Sequence, residues 1–308
     1  MIRLVSKGNY ADGREFVKKR AFVYIIIAGI LWGTSGIFVN VLSPYGFSSI
    51  QLTALRGAVS FVCMAIYVLI RNRRLLRVKP TDLLLFAGIG VSLFGTGGCY
   101  FISMQMTSIS TAVVLMYMAP VYVMIFSVLF LGEKFSRLKL ISVLCMLIGC
   151  CLVSGIVGGL KFDALGILMG VLSGISYGSY NILTKIAMRR KCTPVSTTLY
   201  GFLFMAVIAL SVSQPQKMIP YVEPDPWLII PLILALGIVT FVLPYLLYTL
   251  ALKELPAGTA SALGIVEPMA ATVFSVVIFH EALSVYSVVG IVLILLAVFL
   301  LGKAEEKQ

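Results

Sequence analysis

Long apolar runs, each broken by a short polar or charged stretch, follow one another from Ala21 to the end of the chain. They fall near 21–42, 47–70, 82–104, 108–131, 138–156, 164–188, 195–213, 227–252, 257–279 and 284–302. An α-helix needs roughly 20 apolar residues to cross the hydrocarbon core of a bilayer. Backbone groups in hydrocarbon must be satisfied within their own segment, so runs this long read as helices. The pattern predicts an all-α membrane protein of ten transmembrane helices. The first run is longer than the apolar core of a secretory signal, and reads as a retained helix behind a polar N-terminal segment, 1–20.

Charge adds orientation. If the N-terminus is cytoplasmic, cytoplasmic stretches hold twenty-one of the 24 Lys and Arg residues. The outer loops hold two, Lys161 and Lys217, and Arg56 lies inside a span. Cytoplasmic loops of membrane proteins carry an excess of Lys and Arg, so both termini are expected inside, with 303–308 as a cytoplasmic tail. Basic loops facing anionic headgroups also account for the net charge of +12 without a nucleic-acid partner.

The two halves resemble each other. Gly29-Ile-Leu-Trp-Gly33-Thr-Ser35 matches Gly170-Val-Leu-Ser-Gly174-Ile-Ser176, and Asn40 falls on Asn181 at the same offset. Thr53-Ala-Leu55-Arg56-Gly57 falls on Thr197-Thr-Leu199-Tyr200-Gly201. Further along, Tyr100 matches Tyr248, Thr111-Ala112 matches Thr259-Ala260, Pro120 matches Pro268, Ser127 matches Ser275 and Glu133 matches Glu281. The repeats expected are 21–156 and 164–302. Five helices is an odd number, so the second repeat enters the membrane from the opposite side. Inverted repeats of this kind are typical of secondary transporters, with the substrate site between the halves near the midplane.

On Leu31-Trp32-Gly33, Leu55-Arg56, Ala112 to Pro120, Gly132-Glu133, Val266-Glu267-Pro268 and His280-Glu281, the chain resembles the EamA-like, ten-helix members of the drug/metabolite transporter superfamily. His280 stands where the family usually has Gly. The resemblance covers the chain after about residue 20. It implies two repeats around a central cavity formed by helices 1–4 and 6–9, with helices 5 and 10 peripheral. It also implies export of amino acids, other metabolites or amphipathic cations from a multi-pass protein of a bacterial inner or plasma membrane.

The midplane charges are the most informative residues. Arg56 and Glu267 each lie about nine or ten residues into a helix, near the bilayer centre at 1.5 Å per residue. A charge there costs on the order of 3 kcal/mol and usually faces the bundle interior. Two readings stand side by side: a buried pair that fixes packing, or cavity groups that bind solute, with Glu267 also able to take up a proton. Trp32, Ser35, Tyr100, Tyr117, Tyr177, Asn181 and Tyr245 are the further candidates for a substrate site. Pro120 and Pro268 are expected to kink helices 4 and 9 at equivalent positions and to serve in gating. Glu133 and Glu281, at helix ends, read as solvated or capping residues.

Some chemistry is not expected. The one histidine and twelve acidic residues, scattered mostly in loops, form no visible catalytic constellation or metal site. There is no Walker A loop, and no cofactor is expected. The six cysteines sit in or beside apolar runs and read as small hydrophobes. The partners expected are a small-molecule substrate and the lipid bilayer; proton coupling and a homodimer stay open. The competing reading is a membrane protein without transport activity, an enzyme or a structural subunit.

Overall fold

The computed structural model describes residues 2–133, 136–155, 163–280 and 284–306, with side chains from Phe16 onward save those of Ser110, Glu305 and Glu306. Lys134, Lys161, Glu281 and Lys307 therefore lie outside the described residues. Among those described, the chain is helical and has no strand. The main helical runs are α1 (Phe16–Tyr45), α2 (Ser49–Arg71), α3 (Pro80–Met106), α4 (Thr111–Leu131), α5 (Arg137–Val153), α6 (Ala164–Arg189), α7 (Pro194–Ser213), α8 (Pro226–Glu254), α9 (Ala257–Phe279) and α10 (Val285–Ala304). The helix carrying α1 begins at Ile2, so part of the stretch expected as a polar leader continues the same helix.

Eight of these runs are long and apolar enough to cross a membrane. The other two are α5, with 17 residues, and α6, with 26. The physical reason α6 is less apolar is its place. It mixes Gly, Ser, Tyr, Thr and Asn among its apolar residues, and it packs those small and polar positions against α3, α4, α8 and α9 while Leu165, Leu168 and Leu172 face outward. Glycines make that approach close. A Cβ at Gly170 would lie 2.5 Å from Leu115, and one at Gly174 would lie 2.7 Å from the Leu115 carbonyl. Small residues of this kind let helix backbones meet where lipid supplies no hydrophobic driving force between them.

The distribution of polarity is the reverse of a soluble protein's. Leu84, Ile70, Phe130 and Leu129 are among the most exposed side chains, while Ser60, Ser103, Ser142, Ser173, Asn181, Thr184 and Thr240 are fully buried.

Helix packing has a two-fold pattern. The pair α3–α6 has its counterpart in α8–α1, α4–α6 in α9–α1, and α3–α7 in α8–α2. The pairs α2–α7, α4–α9 and α5–α10 map onto themselves. The pattern is not complete. α6 packs on α8, whereas among the described residues α1 and α3 do not pack comparably.

α4 and α9 are interrupted in mid-course, as is α1 at Thr34. α4 breaks at Tyr117–Met118, just before Ala119-Pro120, and α9 breaks at Gly264–Ile265, just before Glu267-Pro268. Both expected prolines thus sit immediately after a break; each lacks the N–H that would continue the hydrogen-bond ladder. α8 widens into a π-helical turn over Ile238–Val242, directly ahead of Pro244. Gly132 and His280 end α4 and α9 in the left-handed region, at φ 63° and 55°.

Candidate functional site

The strongest local signal in the chain is a capping box that starts α2. Ser48 Oγ accepts from the Gln51 amide, and Gln51 Oε1 accepts from the Ser48 amide. Starting the helix there places Arg56 two turns in, on the face turned toward the centre of the molecule. Opposite, the break in α9 delivers Glu267 in the first turn of the resumed helix. Both side chains reach one cavity of about 450 Å³.

Eight of the nine expected substrate-site residues line this cavity: Trp32, Ser35, Arg56, Tyr100, Tyr117, Tyr177, Tyr245 and Glu267. Asn181 does not. It is fully buried behind the wall, where it accepts a hydrogen bond from the Tyr248 hydroxyl and donates one to the Tyr177 carbonyl at 2.8 Å. Its place is that of a residue that positions the tyrosines. Of the two prolines, Pro268 lines the cavity and Pro120 is buried outside it.

One end of the cavity is open. Its lining runs out to Gly36 and Val39 near the end of α1, Ser49 at the start of α2, Met104 at the end of α3 and Ile109. Ile109 is 64% exposed. The other end is floored by rings. Trp32 meets Tyr245 edge-on at 5.0 Å and Tyr248 at 5.3 Å, and Tyr245 meets Phe241 at 4.7 Å and Tyr180 at 5.3 Å. Edge-to-face and tilted contacts of this kind satisfy the ring quadrupoles.

The cavity's electrostatics are uneven. The Arg56 guanidinium stands 4.6 Å from the centre of the Phe241 ring, a cation–π contact. It also lies within electrostatic reach of Glu267 and Tyr245 but makes no direct ion pair with Glu267. The Tyr117 hydroxyl is turned toward the Glu267 carboxyl without closing a hydrogen bond. Arg56 Nε, Trp32 Nε1 and the Tyr117 hydroxyl are buried polar atoms with no hydrogen-bond partner. An unsatisfied buried donor costs about 1–3 kcal/mol. A cation and a carboxylate that share a cavity without bonding each other, beside several unused donors, form a site that can bind both charges of an organic solute.

Sequence reasoning missed Phe241, Thr96, Gly97 and Thr272 in the lining. Phe241 was detectable in principle, since it lies one turn before Tyr245 on the same helix face. Gly97 carries no chemical signature. Its role is spatial, for a Cβ there would lie 3.5 Å from Arg56 Nη2. Among the described residues no cluster of His, Cys, Asp and Glu could hold a metal ion.

Comparison with known proteins agrees with this architecture. The family model described as EamA-like transporter family matches residues 19–155 and again 164–303. An uncharacterized transporter of Archaeoglobus fulgidus is 30% identical over 280 residues, covering 90% of this chain and 94% of that protein. The uncharacterized transporter YwfM of Bacillus subtilis is 23% identical, covering 93% and 95%. A solved crystal structure superimposes with a TM-score of 0.77 at 21% identity, covering 93% of this chain and 98% of the other, which shows the fold alone. With a family model matched twice along nearly its whole length, the chain belongs to the EamA-like transporter family and is a multi-pass membrane transporter.

Proposed function

We propose that the chain is a secondary carrier of small organic solutes that bear a charged amino group, such as amino acids, related metabolites or amphipathic cations. In this reading it exports them by exposing the central cavity to one side of the membrane at a time. The observation that carries it is the shared cavity. Arg56 and Glu267 enter it from different helices, and aromatic rings close it at one end only. Glu267 takes the ammonium group, or a proton when the site is empty. Arg56 takes a carboxylate when the solute has one. Trp32 and the tyrosines supply apolar surface and cation–π contact.

The carrier crosses the plasma membrane ten times, as two oppositely oriented units, 21–156 and 164–302, with both termini in the cytoplasm. α5 and α6 are then spans despite their length and composition. α5 pairs with α10, and α6 turns its small and polar residues to its neighbours and Leu165, Leu168 and Leu172 outward. On this topology the open end of the cavity faces away from the cytoplasm. The two-fold packing pattern supports two states of similar energy, one open at each end.

Counterflow in proteoliposomes tests the reading. A panel of amino acids and organic cations should include solutes whose uptake saturates and is stimulated by the same solute on the far side. Glu267→Gln should abolish flux of the cationic members, with thermal stability retained. Leakage that neither saturates nor responds to counter-solute, for every compound tried, would remove the carrier reading.

A further inference from the structure

Beyond the rings that floor the cavity, charged side chains are bonded to helix ends. We propose that Lys185 and Glu133 are positioning residues that latch the floored end closed, so that the resting protein stands open at the other end. The proposal rests on the alternating-access reading above.

α8 ends at Glu254 and α9 begins at Ala257, leaving a connection of Leu255 and Pro256. The last carbonyls of one helix and the first amides of the next have no intrahelical partners, and Pro256 supplies no side-chain cap. Other helices fill both needs. Lys185 Nζ, from α6, donates to the Leu252 carbonyl at 2.7 Å and to the Leu255 carbonyl at 2.6 Å. Glu133 Oε1, just past α4, accepts from the Ala257 amide at 3.0 Å. A cation at a helix C-terminus and an anion at a helix N-terminus also match the two helix dipoles. Arg189 Nη1 completes the junction by donating to the Leu131 carbonyl at 2.8 Å, which ties α6 to the end of α4.

The junction thus joins four helices, α4 from the first half and α6, α8 and α9 from the second, at the end where α6 packs on α8. Its counterpart in the first half is built differently. Thr107 and Ser108 stand in the places of Leu255 and Pro256, and Ser108 caps α4 with its own hydroxyl. At the offset that aligns Asn40 with Asn181, the residue matching Lys185 is Pro44, which has no charge to offer. Among the described residues the charged junction is therefore one-sided, as is the packing of α6 on α8 without an equivalent between α1 and α3. Glu133 Oε2 is buried with no hydrogen-bond partner. Opening this end would hydrate it and offset part of the lost Ala257 bond, which makes the latch reversible.

The test is labelling of full-length protein by a membrane-impermeant maleimide, with the six native cysteines replaced by serine or alanine and one reporter cysteine at a time. Gly36→Cys reports the open end, where an added Cβ meets nothing within 4 Å. Thr249→Cys, buried at 2% exposure beside Tyr180, reports the closed end. Lys185→Met should raise labelling at Thr249→Cys by about fivefold or more and lower it at Gly36→Cys, since the two populations sum to one. Lys185→Arg should leave both reporters within about twofold of the parent. Glu133→Gln should move both in the same direction as Lys185→Met, and decides the matter if Lys185→Met does not fold. A rise at Thr249→Cys with no fall at Gly36→Cys marks a merely loosened junction and overturns the latch, as does no change at either reporter. If transported solute still shifts both reporters in the parent while the latch variants do not, the latch fails and the carrier reading stands.

Discussion

At the scale of single residues, the site is governed by the cost of polar groups inside a lipid-solvated bundle. Arg56 and Glu267 were legible in the sequence because charges at mid-membrane are expensive and rarely idle. Arg56→Gln should abolish flux of solutes that carry a carboxylate while sparing simple cations, a split that counterflow reads directly; equal loss for both classes would mean that Arg56 only holds the fold. Gly97 stands where a larger side chain would fill the guanidinium's space. Gly97→Ala should therefore be tolerated and Gly97→Leu should lose transport at unchanged expression. His280 holds a left-handed backbone at φ 55°, a conformation that costs a non-glycine residue about 1 kcal/mol. His280→Gly should raise the melting temperature, and a fall would show that the imidazole has a partner that compensates. Two residues show what one sequence hides, Phe241 by being missed and Asn181 by being misplaced. Phe241 shares a helix face with Tyr245, yet only the fold shows that its ring lies against the Arg56 guanidinium. Asn181 looks like a polar site residue, and only the packing of α6 reveals that it holds Tyr248 from behind.

At the scale of elements, the informative features are the interruptions. The prolines at 120 and 268 announced bends in α4 and α9, and both helices do break directly before them. The sequence could not reveal that Gly33 of α1 seats itself on the second break. A Cβ there would stand 2.8 Å from Ala270 and 2.9 Å from the backbone nitrogen of Ala271. Gly33→Val should cost about 1–3 kcal/mol by overpacking, measured as a loss of thermal stability in detergent. The crossing of α5 and α10 is as tight, since a Cβ on Gly290 would lie 2.6 Å from the Gly149 carbonyl. Periodicity locates each helix, yet a glycine facing lipid and a glycine facing a backbone read alike in one sequence. Restoring the broken ladder with Pro268→Ala should slow flux more than it weakens solute binding, if the break is a bending point; equal effects on both would make it a static kink.

At the scale of the whole molecule, hydropathy gave the positions of the helices to within a few residues, save the start of the first, which lies at Ile2. The two weakest helices by length or apolarity, α5 and α6, are the ones that neighbours cover or complete. The repeat read from Pro120 and Pro268, or Gly33 and Gly174, reappears as the exchange of packed pairs between the two halves. What one sequence could not convey is the state of the molecule. Which end is open depends on contacts such as Lys185 with the Leu252 and Leu255 carbonyls, and these join residues far apart in the chain.

The central claim is that two five-helix units enclose the cavity with opposite orientations. Impermeant labelling of single cysteines placed at the exposed positions of Arg74, Lys217 and Lys253, from each face of sealed vesicles, tests it most directly. The account predicts that Arg74→Cys and Lys253→Cys react only from the cytoplasmic face and Lys217→Cys only from the other. Reaction of Lys217→Cys from the same face as Arg74→Cys would contradict it.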